Sequence, residues 1–135
     1  MVRFPVKAKH VVITGASDRI GRALALELAS RGARVTLSAR SRGKFEAAAE
    51  EIAKAGGAAI AIPADVSIEN DCRELMEKAI AAHGAIDVLV CNAGIGSATQ
   101  GDDLIAIEAV RRTMAVNFMG MRRLRRCRRC RPRTG

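Results

Sequence analysis

Two aromatic residue types are missing altogether. The chain has no tyrosine and no tryptophan, and its only aromatics are Phe4, Phe45 and Phe118. No mechanism that needs a tyrosine hydroxyl can run on these residues. Long apolar runs are missing too, and nothing approaches the ~18–20 residues of a membrane span. Met1 to Lys9 holds no apolar stretch of about 7–15 residues ahead of a small-residue cleavage site, so no secretory signal is expected. Cysteine is scarce in the body, where Cys72 and Cys91 make no disulfide framework and fit a reducing, cytoplasmic setting. Acid is absent from the end: residues 121–135 carry eight arginines and no carboxylate. Residues 1–120 hold 15 basic and 14 acidic side chains, so of the net charge of +9 the body contributes +1 and the tail +8.

What is present is one domain's worth of small aliphatics. Of the 135 residues 49% are apolar, mostly Ala, Val, Ile and Leu, which suits helices packed on a parallel sheet. Strand and helix alternate along the body. His10–Thr14 is a buried-type run. Ile20, Leu24 and Leu28 recur every four residues until Gly32 stops the helix. Ala33–Ser38 is a second strand. Residues 41–55 form a helix with Phe45, Ala48, Ala49 and Ile52 on one face, closed by Gly56 and Gly57. Ala58–Pro63 is a third strand.

Ser67 is expected to cap a helix whose apolar stripe is Cys72, Leu75, Met76, Ala79 and Ile80, with Gly84 at its end. Ile86–Cys91 is the fourth strand. After a glycine- and serine-containing stretch, Asn92 to Gly101, a last helix starts near Asp102 and Asp103 and runs through Leu104, Ile107, Val110, Met114 and Asn117. The pattern is that of parallel βαβ units with right-handed crossovers. The one composition break falls at Met121.

The first turn, Thr14-Gly15-Ala16-Ser17-Asp18-Arg19-Ile20-Gly21, delivers a strand end into a helix N-terminus. A pyrophosphate needs such a place: free N–H donors, the favourable dipole end, and no side chain in the way. Gly15 makes the turn and Gly21 lets the helix lie close to the strand. A glycine-rich turn alone is often only a loop; its position between strand and helix favours the dinucleotide reading over that one.

These residues resemble the short-chain dehydrogenase/reductases, which usually show Thr-Gly-x-x-x-Gly-x-Gly here. Ser38-Ala39-Arg40 at the end of strand two, Asp65-Val66 after strand three, Asn92-Ala93-Gly94 after strand four and Val116-Asn117-Phe118-Met119-Gly120 follow in the family's order, over about residues 9–120. The resemblance implies an α/β fold with a partial doubly wound, Rossmann-like parallel sheet of strand order 3-2-1-4. It implies that Gly15, Ser17, Ile20 and Gly21 line the cofactor phosphates and ribose, that Asp65 accepts from the adenine amino group, and that Val66 packs on the ring. Asn92, Ala93 and Gly94 would brace the end of strand four. Taken alone, Asp65 reads as a helix-capping acid and Asn92 as a turn former.

An acid at the end of strand two would bind a ribose 2′-hydroxyl and repel a 2′-phosphate, whereas an arginine does the reverse. Ala39 stands where the family's NAD-type acid would be, and Arg40 follows, so NADP(H) is expected over NAD(H); the alternative is an ordinary surface arginine. Two departures stand out. Arg19 occupies the middle glycine of the turn, where a side chain costs close approach, although it could itself pair with a phosphate. Cys91 replaces the first Asn of the usual Asn-Asn-Ala-Gly.

The family's reductive chemistry uses an Asn-Ser-Tyr-Lys set, of which only Asn117 is present as a catalytic candidate. The resemblance thus implies a short-chain oxidoreductase on a carbonyl/alcohol pair, with this chain inactive as it stands; the alternative is a dinucleotide-binding fragment without catalysis. Substrate contacts belong to the full-length form. Residues 1–120 read as the cofactor domain and 121–135 as a tail, frame-shifted or disordered, in the manner of GC-rich coding sequence read out of frame. Less favoured is a basic arm holding nucleic acid non-specifically through phosphates, since no aromatics interleave its arginines. Cys127 and Cys130 are half a zinc site; His10 and His83 lie in distant elements, so no metal is expected. Val88-Leu89-Val90, without a fifth strand beside it, would leave an open apolar edge and favour self-association.

Overall fold

The computed structural model describes residues 5–17, 19–95, 108 and 111–126. The elements are β1 (His10–Thr14), α1 (Arg19–Ser30), β2 (Arg34–Ala39), α2 (Lys44–Lys54), β3 (Ala58–Pro63), α3 (Glu69–His83) and β4 (Val88–Cys91). A helical stretch follows over 111–126, widened to a π-helical turn at Ala115–Met119 and continuing as α4, Gly120–Arg126. The strands form one parallel sheet in the order β3-β2-β1-β4, the α/β doubly wound arrangement that the resemblance implies. The inner strands are buried except at Arg34, the first residue of β2, because helices cover both sheet faces. On one face Val11, Ile13, Val35 and Leu37 pack with Ala25, Ala29, Phe45, Ala48 and Ile52 of α1 and α2. On the other, Val12 and Ile62 pack with Cys72, Leu75 and Met76 of α3 and Leu124 of α4.

Several local expectations are corrected. Ile20, Leu24 and Leu28 are not the buried stripe of α1; Gly21, Ala25 and Ala29 are, and Ile20 is 74% exposed. The helix lies so near the sheet that only small side chains fit its line of contact, and Leu24 and Leu28 flank it, partly buried. Ser67 does not cap α3. The helix follows Ile68, and the Ser67 N–H and hydroxyl both donate to Asp65 Oδ1, at 2.9 and 2.6 Å. Asp65 thereby organises the turn itself. Strand four is shorter than expected, because Ile86 is buried outside the ladder.

The helix also crosses the composition break at Met121 without interruption, and Leu124 is 1% exposed. Asp102, Asp103, Leu104, Ile107, Val110, Cys127 and Cys130 lie outside the described residues. No helix among the described residues is long and apolar enough to cross a membrane.

His10 and His83, distant in sequence, meet at the N-terminal end of the sheet, with ring centroids 5.3 Å apart and planes at 74°. No group of three or more metal-ligating side chains occurs among the described residues. His10 is fully buried, with Nδ1 donating to the Gly84 carbonyl at 3.0 Å and Nε2 accepting from the Thr36 hydroxyl at 2.8 Å. These partners fit the neutral ring. Burial, helped by the nearby Arg34 charge, holds His10 below the ordinary 6.5. Burial, then the charges of His10 and Arg34, does the same to His83.

A native state that binds fewer protons than the unfolded chain loses stability as pH falls. The contribution of these histidines is therefore complete above about pH 7 and declines below 6.5, toward their folded values. Asp65 and Asp87, held below 3.8, act only in stronger acid. Urea unfolding is expected to give lower stability at pH 5.5 than at pH 7.5, with a shallower slope in His10→Gln. A flat profile would contradict this account.

Candidate functional site

The C-terminal ends of the four strands open on a cleft of about 170 Å³. Its base is the turn after β1. Gly15 has φ +67, and a β-carbon there would lie 2.8 Å from Ala93 Cα and 2.9 Å from Ala93 N. Glycine is required both by the backbone angle and by the approach of the chain after β4. Asn92 Nδ2 donates to the Gly15 carbonyl at 3.1 Å. A β-carbon on Gly21 would press on that same carbonyl and come 2.7 Å from Asn92 Nδ2. Thr14 adds a second tie, its Oγ1 accepting from the Ala93 N–H at 3.2 Å and donating to the Val90 carbonyl at 3.4 Å.

Gly15, Ser17, Arg40, Asp65, Val66, Ala93 and Gly94 line the cleft together. Arg19, Ile20, Gly21 and Asn92 do not. Gly21 and Asn92 stand behind the turn and shape it, while Arg19 and Ile20 are exposed on the first turn of α1. Arg19 has φ +46, the left-handed region in which a β-carbon is disfavoured, so the backbone keeps a glycine-like conformation under an arginine side chain.

Arg40 is exposed at the mouth beside Ser41. Burial by itself would raise the Asp65 carboxyl, but the Ser67 hydroxyl and N–H and the charges of Arg40 and Arg112 hold it below its ordinary value. It is an anion at neutral pH, with Oδ1 engaged by Ser67. Its own N–H donates to Asp71 Oδ2 at 2.9 Å, which fixes the loop between β3 and α3.

Asn117 sits in the π-helical turn, exposed, with one hydrogen bond at each end of its amide. Oδ1 accepts from the Ile95 N–H at 2.8 Å, and Nδ2 donates to the Ile95 carbonyl at 3.0 Å. It thereby ties the chain after β4 to the last helix, and a β-carbon on Gly94 would lie 3.4 Å from Asn117 Oδ1. The lining also includes Thr14, Ser38 and Val116, which were not singled out as site residues. Thr14 and Ser38 are register partners at the last rung of β1 and β2, a place that strand alternation and the adjoining motifs could have marked. Val116 adjoins Asn117 in the sequence. Ser38 Oγ is buried without a hydrogen-bond partner among the described residues.

A family model described as short chain dehydrogenase matches residues 9–127. The chain is similar to glucose 1-dehydrogenase of Gluconobacter oxydans (strain 621H), 41% identical over 114 residues that make up 84% of this chain and 42% of that protein. It is also similar to the short-chain dehydrogenase/reductase homolog YusS of Bacillus subtilis (strain 168), 42% identical over 99 residues, 73% of this chain and 91% of that one. A crystal structure of a metagenomic short-chain oxidoreductase in complex with NADP superposes with a TM-score of 0.80 at 37% identity, covering 92% of this chain and 56% of that chain. The chain therefore spans less than half of the glucose dehydrogenase and just over half of the solved oxidoreductase, whereas nearly all of YusS is matched.

The packing at the turn sets the expected response to substitution. Gly21→Ala forces a methyl group onto backbone and should cost about 1–3 kcal/mol. Arg19→Gly releases a left-handed β-carbon and should gain up to about 1 kcal/mol. Thermal melts of the two variants check both signs, and a neutral Gly21→Ala would contradict the close approach.

Proposed function

Because the chain belongs to the short-chain dehydrogenase/reductase family, we propose that it is the cofactor-binding part of an NADP(H)-dependent oxidoreductase acting on a carbonyl/alcohol pair. The observation that carries the reading is the convergence of the glycine turn, Arg40, Asp65 and Gly94 on one cleft at the strand ends. This is where a parallel sheet offers backbone donors and a helix N-terminus to a phosphate. The donor set suits such a cofactor. Arg40 and Ser41 at the mouth fit a 2′-phosphate, the Asp65 carboxylate fits an amino group, Val66 offers a flat apolar wall, and Gly15 and Ser17 lie where the pyrophosphate would pass. When bound, the nicotinamide supplies the hydride chemistry. Ala39 in place of an acid leaves nothing at that position to repel a phosphate, and the NADP-bound relative is in keeping with the same choice.

In this reading Asn117 is a positioning residue, since its amide is committed to Ile95. The 135 residues contain no tyrosine, so this chain by itself binds cofactor without reducing ketones. Loss of a general acid alone removes ~10²–10⁴ in rate. Substrate contacts and turnover belong to a longer form. The outer edge of β4, with Val88, Leu89 and Val90 half-buried and no further strand beside it among the described residues, favours self-association.

Titration followed by the cofactor's own fluorescence tests the reading. NADPH is expected to bind at least about 10-fold more tightly than NADH, since loss of one phosphate–guanidinium contact is worth roughly 1.4 kcal/mol or more. Arg40→Asp should invert the order, and generic ketones should show no turnover. Binding of neither cofactor would sink the dinucleotide reading. Equal binding of both would sink the role of Arg40.

A further inference from the structure

Arg123 belongs to the arginine-rich stretch, whose composition reads as solvated charge, yet its side chain turns inward. Arg122 and Arg125 are exposed, whereas Arg123 is half-buried and its Nη1 donates to two backbone carbonyls, Val66 at 3.3 Å and Ala115 at 3.2 Å. Those carbonyls belong to different segments beside the cleft. Val66 follows β3 and lines the cleft directly. Ala115 opens the π-helical turn, and its neighbour Val116 also lines the cleft. The Val66 carbonyl accepts a further, weaker bond from Cys72 Sγ at 3.4 Å, and the Ala115 carbonyl also accepts from the Gly120 N–H.

The helix that carries Arg123 is seated tightly. A β-carbon on Gly120 would lie 2.8 Å from Val66 Cγ2 and 3.0 Å from the Val66 carbonyl oxygen, and Leu124 is buried against the α3 side of the core. A guanidinium bridging two carbonyls holds both segments at fixed separation, because its donors lie in a rigid plane.

We propose that Arg123 is a positioning residue for the cofactor cleft: it clamps the Val66 wall to the π-helical turn that carries Asn117, and so pre-forms the face against which the adenosine half of a dinucleotide packs. The inference rests on the cofactor reading above. It assigns to the first turn of the arginine-rich stretch a task inside the domain. Ligand affinity follows from it, because a wall that must be ordered on binding weakens the complex.

The test compares affinity with stability in the full 135-residue chain. Wild type is titrated first with NADPH and with ADP, and a wild type that binds neither overturns the cofactor reading and this inference with it. Given wild-type binding, Arg123→Met, which keeps the aliphatic stem and removes the donors, is expected to weaken both ligands roughly 5- to 10-fold. Arg123→Lys, able to reach one carbonyl, should fall between. Leu124→Ala loosens the same helix without touching the clamp; it should lower the melting temperature while leaving the affinity of the folded protein within about two-fold. Unchanged affinity in Arg123→Met overturns the inference alone. So does a Leu124→Ala variant that loses as much affinity, because helix packing rather than the guanidinium would then be responsible. If Arg123→Met is too unstable to titrate, Arg123→Lys and Arg123→Gln decide by the same criterion.

Discussion

The turn that leaves β1 lies against the backbone that leaves β4 with no room for a side chain between them. At Gly15 a β-carbon would meet the backbone of Ala93, and at Gly21 it would meet the Gly15 carbonyl and the Asn92 amide. Much else follows from that approach. Helix α1 can drop onto the sheet, which is why its buried line is Gly21, Ala25 and Ala29 rather than the larger residues on either side. The ends of β1 and β4 become one rigid unit, tied twice, by Asn92 to the Gly15 carbonyl and by Thr14 to the Ala93 N–H. Arg19 is the concession in this arrangement, holding a left-handed backbone that its β-carbon disfavours. A strained residue persists only when its surroundings over-determine the turn, and here the two glycine contacts and the two ties do so.

The polar residues of the core follow a pattern that separates the two ends of the sheet. His10, Thr14, Thr36 and Ser38 are the buried polar side chains among the described residues, and strand alternation puts all four on the sheet face covered by α3. At the N-terminal end the pair is closed: both His10 nitrogens are engaged, one by Thr36. At the C-terminal end Thr14 is engaged by its neighbours, but the Ser38 hydroxyl has no partner among the described residues. An unpaired buried polar group costs about 1–3 kcal/mol. Within the strands that cost falls at the end beside the cleft; at the other end it falls on α3, where His83 Nε2 is also buried without a partner among the described residues.

The sheet and the order of its elements were legible in the sequence because each strand is a short apolar run bounded by turn residues, and each helix before residue 84 ends at or near a glycine. Runs of that kind imply burial on both faces whatever the exact packing partner. The corrections share one physical origin, which is contact across the chain. The face of α1 depends on how closely it approaches the sheet, and periodicity in leucine does not report that distance. The role of Ser67 depends on Asp65 two residues earlier, where either residue could have led. His10 and His83 are neighbours only after the crossovers place the end of α3 beside the start of β1. In the cleft, the motif residues Gly15, Ser17, Arg40, Asp65, Val66, Ala93 and Gly94 fall together. Gly21 and Asn92 are found one layer behind, where they shape the turn instead of lining the cleft.

The end of the chain illustrates the limit of composition as a guide. A count of charges places a boundary at Met121, since every charged residue beyond it is arginine. A helix does not respond to the average charge of a window; it responds to what occupies the face turned to the core. Val116, Gly120 and Leu124 are spaced four apart, all three are buried, and the spacing runs across the supposed boundary. One leucine at the right turn and one glycine small enough to admit Val66 keep the helix docked while Arg122 and Arg125 face water. The same geometry that buries Leu124 brings Arg123 beside the Val66 and Ala115 carbonyls. A long, planar cation there reaches both carbonyls at once, adding to the bonds that they already accept from Cys72 and Gly120. The apolar stripe therefore decides how the helix docks across Met121, and the charge of Arg122 and Arg125 faces outward once that stripe has been placed.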